Sequence, residues 1–368
     1  MESSCGPLCR VVPGGSLTSV RNGVEAGIDV EGKAAMVTGV GVIGLGMAVT
    51  PHMLALQDLA AAGRVRIVGG HAPSAARRDA FAACWSAPVF GTLDALLAAP
   101  GLDLALVLAP PGAHLPIAET VAAAGKHMIV EKPLERTVAR AEALATLAER
   151  AGVRASVCFQ HRFRPGALEF ARRLHAGELG TPLSASASIR WWRDANYFAQ
   201  PGRGTMARDG GGVLLTQAIH TMDLLLHLMG PVGEVTGFAR NSGLRAIDTE
   251  DVAAAAIRFD NGAIGVIDAT SVARPGFPER IEIAGTKASA ILIGNRLEWY
   301  AGDGPPEVID PGSGTGGGAD PMAFDHGPHR ALIAEMLDAI AEGRAPTNDA
   351  RSALHVQRLI ESWLGAQA

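Results

Sequence analysis

Three short segments contain residue types at spacings that could do chemistry. GLGMAV, residues 44 to 49, has two glycines separated by one residue, and VEKP, residues 130 to 133, ends an apolar run in a lysine. LLTQAIHTMD, residues 214 to 223, carries a histidine and an aspartate three positions apart. A glycine turn can hold a phosphate group, and lysine and histidine can transfer protons. The fold must bring the three segments together if they act as one site.

The glycine turn has the features of a dinucleotide cradle. Gly44 allows a tight turn, and Gly46 lets the backbone, with that of Leu45 and Met47, approach a pyrophosphate. Val49 stands where a third small residue would allow close helix packing. Taken alone, the turn is equally well explained as a simple connection between a strand and a helix. Its place after the first strand of an alternating pattern favours the cradle.

The end of the second apolar run bears on which dinucleotide binds. IVGGHAPSAARR has no acid where a carboxylate would hold the adenosine ribose; Ala72 lies in the turn, with Ser74 and Arg77 beyond it. Without a carboxylate a 2′-phosphate is not repelled, and serine with arginine could bind one. NADP is therefore at least as plausible as NAD. The alternative is that Arg77 and Arg78 form the exposed face of a helix.

From Val37 onward, apolar runs alternate with Ala/Leu-rich helical stretches as far as residue 157, including a long helix at about 138 to 151. Strands that are apolar throughout and separated by helices predict a parallel sheet covered on both faces. We therefore expect a doubly wound NAD(P)-binding Rossmann domain over residues 36 to 157.

Period-two segments follow, and DNG at 260 to 262 joins two of them in a strong hairpin signal. They predict a second α+β domain over residues 158 to 327, with a large open mixed or antiparallel sheet. Helices at about 328 to 342 and 350 to 365 complete the fold. GSGTGGG at 312 to 318 is typical of a surface loop, because a phosphate loop would need a following Lys and Ser or Thr.

Composition restricts the class of partner. The chain has 368 residues, 48% of them hydrophobic, and a formal charge of −5. That charge gives no reason to expect nucleic acid, and we predict neither a membrane segment nor a metal site. The four cysteines lack zinc-site spacing, so we expect reduced thiols. Residues 1 to 35 lack the apolar region of a secretory signal, so we expect a flexible leader on a cytoplasmic protein.

Lys132 and His220 are the candidate proton-transfer groups. A lysine at the carboxyl edge of a parallel sheet lies where ligands bind, and a depressed pKa would let it exchange a proton with a substrate hydroxyl. His220 and Asp223 share a helix face, so the carboxylate could orient the imidazole. Each residue alone is more simply explained as structural.

The ordered set of motifs resembles the Gfo/Idh/MocA oxidoreductase family, which includes glucose-fructose oxidoreductase and inositol dehydrogenase. The matching segments are GVIGLG, APPGAHLPIAETVAAAGKHMIVEKPLERT, QHRFRP, GELG, GGGVLLTQAIHTMDLLLHLMG and EDVAAAAIRFDNGAIGVI. They keep the family's order from about residue 37 to 365.

The resemblance implies roles for several residues. It implies that Lys132 touches cofactor and substrate, with a cis bond to Pro133, and that Glu131 lies near the nicotinamide ribose. It also implies a homodimer or homotetramer formed through the second sheet. Three further residues would line the cofactor cleft: Pro110, Pro111 and His114.

One position departs from the family pattern. Many members carry Asp four residues before the histidine, and this chain has Thr216 there, followed by Gln217. Threonine cannot accept a proton at neutral pH, so Thr216 is at most a hydrogen-bond partner. This departure keeps a non-catalytic interpretation open.

IRWWRDANYFAQPGRGTMARDGGG, residues 189 to 212, should border the substrate together with Gln217. Aromatic rings there could stack on a ring, and arginines could hold a carboxylate. Strand alternation lets only some of four consecutive residues face the site, namely Arg190, Trp191, Trp192 and Arg193. The candidates are Arg162, Trp191, Trp192, Arg193 and Tyr197, with Arg190, Arg203 and Arg208 as further cations.

We therefore predict an NAD(P)-dependent dehydrogenase that oxidises a secondary hydroxyl of a sugar, sugar acid, cyclitol or related cyclic polyol. One alternative is a dihydrodiol dehydrogenase of an aromatic-carboxylate pathway, which the arginines and tryptophans would suit. A second is an NAD(P)-binding sensor without turnover, and a third is redox-assisted glycoside cleavage. Retention of both Lys132 and His220 argues against the sensor.

Overall fold

The structure is a computed structural model that describes residues 37–312 and 325–365. The predicted leader, Cys5, Cys9 and most of the glycine-rich segment at 312 to 318 lie outside the described residues.

The first part of the chain forms a six-stranded sheet in the order β3-β2-β1-β4-β5-β6, with every neighbouring pair parallel. This order is that of a doubly wound sheet, so the doubly wound parallel sheet predicted from the alternating pattern is confirmed. Its strands are β1 Thr38–Ile43, β2 Val65–His71, β3 Val89–Phe90, β4 Leu104–Val107, β5 His127–Val130 and β6 Ala155–Val157.

Helices cover both faces of this sheet, so its central strands are apolar throughout. Val40 and Val42 in β1 and all of β4 are fully buried. The helices are α1 Val49–Ala61, α2 Ala75–Trp85, α3 Leu93–Leu97, α4 His114–Ala123 and α5 Val138–Ala151, with a 3-10 turn at Pro111–Ala113. The helix predicted at about 138 to 151 is therefore confirmed as α5.

The second sheet has eight strands in the order β14-β13-β12-β11-β7-β10-β9-β8. Only β10 and β7 pair in parallel, so the sheet is mixed. The DNG segment joins β9 to β10 as an antiparallel hairpin, as predicted, and Gly262 there has φ +88°. The strands are β7 Pro182–Arg190, β8 Val232–Arg240, β9 Val252–Phe259, β10 Ile264–Thr270, β11 Arg280–Gly285, β12 Ser289–Ile293, β13 Arg296–Tyr300 and β14 Glu307–Ile309.

The remaining helices connect the two sheets. They are α6 Pro165–His175, α7 Ala195–Phe198, α8 Met206–Asp209, α9 Ile219–Met229, α10 Gly327–Glu342 and α11 Ala350–Gly365, with a 3-10 turn at Gln160–Phe163 and a π-helical turn at Leu214–Ala218. α10 packs on α1, and α11 packs on both α5 and α9. The two closing helices predicted from sequence are confirmed.

One face of the second sheet is exposed and apolar at several positions. The side chains of Phe238, Ile264 and Val266 are 84%, 62% and 54% exposed. On the opposite face, alternate residues such as Ile257 and Ile267 are buried. The sheet therefore has one covered and one open face.

The helical stretch from Met206 to Met229 has the length and mean hydropathy of a membrane span, but 83% of the tested window is buried inside the fold. Burial of this kind is typical of a core helix, because a helix hydrophobic on all sides packs in the interior of a large protein.

The cysteine prediction needs a correction. Cys158 is a buried free thiol, as expected, but Cys84 is disulfide-bonded. Spacing along the chain did not reveal this, because pairing requires two Cβ atoms within about 4.5 Å and so depends on tertiary structure.

Candidate active site

The carboxyl ends of β1, β4 and β5 meet at one edge of the first sheet. The Leu108 amide donates to the Ile43 carbonyl over 2.7 Å, and the Glu131 amide donates to the Val107 carbonyl over 2.9 Å. These bonds continue the ladder past the strand ends. The glycine turn, the proline turn and the lysine therefore start from adjacent strands.

The glycine turn leaves space where a ligand would approach. Gly44 has φ +95°, and a Cβ atom there would lie 2.7 Å from the Ala109 nitrogen. A Cβ atom on Gly46 would meet no atom of the described residues within 4 Å. α1 begins at Val49, and no side chain in the part of the chain that the structure describes caps its first turn. Its N-terminal amides, with the positive end of the helix dipole, can therefore receive an anion.

Alanine should lower stability at one of the two glycines and dinucleotide affinity at the other. Gly44→Ala should reduce the free energy of unfolding by about 1–3 kcal/mol, because its backbone conformation is strained for any side chain and its Cβ would clash. Gly46→Ala should leave that free energy unchanged and raise the dissociation constant for the dinucleotide. Urea denaturation and NADH fluorescence titration measure the two quantities. Equal destabilisation by both variants would contradict this description of the turn.

Polar side chains in the turn after β2 form hydrogen bonds with backbone groups of the same turn. The Ser74 hydroxyl accepts a hydrogen bond from the Arg77 amide over 3.4 Å and so caps α2. Arg78 donates to the carbonyls of Ala72 and Pro73. Arg77 is exposed beside this turn. Of the two arginines, Arg77 is the one placed to meet a ligand.

His114 has a structural role and does not line the cofactor cleft. This corrects the expectation from the resemblance, which placed His114 in that cleft. Its ring is fully buried, with Nε2 2.7 Å from the Ala109 carbonyl and Nδ1 3.1 Å from the Leu134 carbonyl. It thus ties the turn after β4 to the segment after β5. Pro110 and Pro111, which precede it, are only partly covered or exposed.

Glu131 faces the protein interior. One carboxylate oxygen lies 2.8 Å from His52 Nε2, and the other accepts the Lys132 amide over 3.0 Å. Burial raises the pKa of Glu131, but the hydrogen bond from His52 and the charge of Lys132 outweigh it and hold the pKa below its usual range. The carboxylate is therefore ionised beneath Lys132. The expected cis bond between Lys132 and Pro133 is present.

Lys132 is positioned by a carbonyl of the π-helical turn. Its Nζ donates to the Thr216 carbonyl over 2.7 Å, while the Thr216 hydroxyl donates to the Gly212 carbonyl over 2.7 Å. Burial lowers the pKa of Lys132, and the adjacent Glu131 opposes that shift. Thr216 thus holds the lysine through its backbone, a role that does not depend on its side chain.

His220 lies one helical turn beyond Thr216. It is 7% exposed and stacks on His161, with ring centroids 4.8 Å apart. Its Nδ1 is buried and has no hydrogen-bond partner among the described residues. Burial, followed by the charge of Lys132, holds the pKa of His220 well below 6.5. The ring is therefore neutral at pH 7 and can accept a proton.

Asp223 does not orient His220, which corrects that prediction. Its two carboxylate oxygens accept from Nε and Nη2 of Arg162 over 2.7 and 2.6 Å, with both side chains buried. Burial raises the pKa of Asp223, and the guanidinium of Arg162 opposes the shift. Arg162 also donates to the Thr347 carbonyl. Arg162 is thus a buried ion-pair partner and does not bind a substrate carboxylate.

Most side chains of the predicted substrate segment contact other protein residues. Trp191 is buried under the Arg193 guanidinium, which lies 4.8 Å from its ring centroid. Trp192 lies beneath the guanidinium groups of Arg245 and Arg274, at 4.9 and 4.2 Å. Two of the further cations also have protein partners: Arg190 pairs with Asp268, and Arg208 bonds to Pro201 and Gln200.

Tyr197 and Gln217 remain close to the lysine. Arg203 donates to the Tyr197 hydroxyl over 3.0 Å. Burial raises the pKa of Tyr197, but Arg203, a hydrogen bond with Gln217 and Lys132 outweigh it, so the pKa lies below its usual value. This half-buried phenol is the best-placed side chain of the segment to contact a substrate hydroxyl.

Two site residues were missed by sequence reasoning. His52 in α1 bonds Glu131, and His161 stacks on His220. His161 lies inside the quoted QHRFRP segment and His52 lies three residues after GLGMAV, but a lone histidine carries no signal of which side chain it will contact.

Comparison with known proteins gives matches to two models of one family. Residues 38–159 match the model described as an oxidoreductase family with an NAD-binding Rossmann fold, GFO_IDH_MocA. Residues 167–291 match the model of the GFO/IDH/MocA C-terminal domain. Together the two models cover more than half of the chain.

Curated relatives include two cyclitol dehydrogenases. The scyllo-inositol 2-dehydrogenase (NAD(+)) of Bacillus subtilis is 30% identical over 53% of this chain and 56% of its own length. The myo-inositol dehydrogenase Hyg17 of Streptomyces leeuwenhoekii is 33% identical over 59% of this chain and 63% of its own length. The chain thus spans little more than half of the first of these relatives.

A solved structure extends the similarity to the whole fold. The WlbA dehydrogenase of Bordetella pertussis, in complex with NADH and UDP-GlcNAcA, superposes with a TM-score of 0.77 at 25% identity. The superposition covers 90% of this chain and 96% of that one.

Proposed function

Because the chain belongs to the GFO/IDH/MocA oxidoreductase family, we propose that it is an NAD(P)-dependent dehydrogenase that oxidises a secondary hydroxyl of a sugar, sugar acid, cyclitol or related cyclic polyol. One observation carries this proposal: Lys132 Nζ donates a hydrogen bond to the Thr216 carbonyl, one helical turn from His220. This contact lies at the sheet edge that also holds the glycine turn. Cyclitol oxidation by the two curated relatives supports the substrate class.

The residues present fit a nicotinamide dinucleotide. The open space above Gly46 and the uncapped start of α1 would hold its pyrophosphate. When bound, the cofactor supplies the nicotinamide ring that accepts hydride. The protein supplies the remainder of the chemistry.

The protein's part is to bind the hydroxyl and remove its proton. The Lys132 ammonium donates a hydrogen bond to the substrate oxygen and stabilises the charge that develops there. Neutral His220 accepts the hydroxyl proton, which its lowered pKa permits at pH 7. Since Asp223 is bound to Arg162, no carboxylate assists His220 from that side.

An anionic substrate group would have to be held by a different cation from the one first predicted. Arg162 is neutralised by Asp223, whereas Arg203 lies beside Tyr197 and influences Lys132. Sugar acids remain within the proposed class because Arg203 can bind a carboxylate there.

For the cofactor, we favour NADP slightly over NAD. No carboxylate follows β2, and exposed Arg77 stands beside the Ser74 cap. Arg77→Ala should therefore raise the KM for NADP about tenfold, since a charge-assisted hydrogen bond contributes about 1.5 kcal/mol or more, and leave the KM for NAD unchanged. Steady-state kinetics with both cofactors measure this. An equal change for both, or a wild-type preference for NAD, would count against the NADP proposal.

Self-association is proposed through the open face of the second sheet. Phe238, Ile264 and Val266 together expose an apolar surface there. Phe238→Asp should therefore shift the protein toward monomer in sedimentation velocity experiments, whereas Leu54→Asp on exposed α1 should not. An unchanged sedimentation coefficient in the Phe238 variant would place the interface elsewhere.

The test of the activity is nicotinamide reduction by the purified protein against sugars, uronates, inositols and cyclic dihydrodiols, with NAD and NADP in parallel. Turnover that is lost in His220→Ala would support the dehydrogenase and identify its substrate class. Tight dinucleotide binding without turnover across the panel would instead support the non-catalytic sensor. Release of a free aglycone from a glycoside would indicate the glycoside-cleavage alternative.

A further inference from the structure

Four potential metal ligands converge behind Lys132. They come from four separate elements: His52 from α1, Glu131 from the end of β5, Cys158 from the end of β6 and His329 from α10. One ligand atom from each lies within 4.8 Å of every other. The parallel pairing of Val130 with Val157 fixes this arrangement, because it places Glu131 and Cys158 side by side.

The distances within the cluster are close to those of a metal site. Cys158 Sγ lies 3.8 Å from His52 Nε2, and Glu131 Oε1 lies 2.8 Å from the same nitrogen. Tetrahedral zinc, with bonds of about 2.0–2.3 Å, holds such ligand atoms about 3.3–3.6 Å apart. Because the ligand atoms lie up to 4.8 Å apart, the widest separation would have to shorten by about 1.2 Å to convert the hydrogen-bonded cluster into a coordination sphere.

We propose that His52, Glu131, Cys158 and His329 bind one zinc ion. The charges balance, because the Glu131 carboxylate and a Cys158 thiolate neutralise Zn²⁺ and both histidines bind as neutral rings. On binding, the thiol proton leaves to solvent, and the proton on His52 Nε2 moves to Nδ1, which has no partner in the described structure. No redox step is involved.

A site with four protein ligands is structural, because no position is left for a substrate. The ion would fasten α10 to α1 and to the edge of the first sheet, since these are the elements that contribute ligands. It would also fix Glu131, whose other oxygen holds the Lys132 amide. The proposal does not depend on the substrate or on the proposed reaction.

The test is zinc binding by the full chain. Metal-free protein should take up one zinc per chain in a titration with a chromophoric chelator, and Co²⁺ should give the absorption of a tetrahedral thiolate complex. Zinc at about 100 times its dissociation constant should raise the Tm by about 3–4 °C. Both Cys158→Ala and His329→Ala should lower the affinity by at least about tenfold.

His355→Ala is the matched control, because His355 is exposed on α11 and lies outside the cluster; its zinc affinity should equal that of wild type. Circular dichroism of the metal-free variants checks that each is folded. Absence of zinc uptake by folded wild type, or affinities unchanged in the Cys158 and His329 variants, would overturn the proposal and leave a hydrogen-bonded cluster.

Discussion

Lys132→Ala should lower kcat/KM for polyol oxidation by about 10³-fold, within the range that a positioned acid–base group contributes. The substitution removes the ammonium that Thr216 and Glu131 hold at the sheet edge. The loss should fall mainly on kcat, because a developing charge on the substrate oxygen is greatest in the transition state. Steady-state kinetics with saturating dinucleotide measure both parameters.

Lys132→Met keeps the length of the side chain and should be as inactive as the alanine variant. Lys126→Met, in the residue before β5 and at the opposite end of that strand from Lys132, serves as control and should retain wild-type activity. Cofactor affinity should change little in either Lys132 variant. A Lys132→Met enzyme with more than a tenth of wild-type activity would exclude this lysine as the group that stabilises the charge on the substrate oxygen.

The wild-type pH profile gives a second readout. The Lys132 ammonium must keep its proton to stabilise the charge on the substrate oxygen, so the rate of oxidation should fall as the pH rises and Lys132 loses that proton. Because burial lowers the pKa of Lys132, the fall should begin below the ordinary lysine value of 10.5. The Lys132→Met variant should lack this limb of the profile.

Asp223→Ala should reduce the free energy of unfolding by about 3–5 kcal/mol, because it leaves the Arg162 guanidinium buried and unpaired. If Asp223 instead acted through His220, the principal effect would be on kcat. Urea denaturation measures the free energy of unfolding, and steady-state kinetics on the folded variant measure kcat and KM. We expect kcat/KM of the folded variant within tenfold of wild type.

The double variant Arg162→Met/Asp223→Leu should recover most of the lost stability, because an apolar pair of similar volume can replace a buried ion pair. Glu142→Ala breaks the exposed pair with Arg358 and should change stability by less than about 1 kcal/mol. A double variant as unstable as Asp223→Ala would show that the ion pair is not the source of the effect.

Local sequence patterns were sufficient for the architecture. Apolar runs separated by helices predicted the parallel sheet, and DNG predicted the β9–β10 hairpin, because turn chemistry and burial act over a few residues. The ordered motifs pointed to the family before any coordinates. The π-helical turn at Leu214–Ala218 carried no comparable signal, since it differs from an α-helix only in backbone hydrogen bonding.

By itself, the sequence determined the family, the strand-end position of Lys132 and the helix that carries His220. Only the tertiary structure decided which side chains pair. Asp223 accepts hydrogen bonds from Arg162, 61 residues away, and not from His220, three positions before it. Helical spacing makes two residues neighbours, but a carboxylate bonds to the strongest donor that other elements bring within reach. For the same reason His52, Glu131, Cys158 and His329 form a cluster that no spacing along the chain reveals.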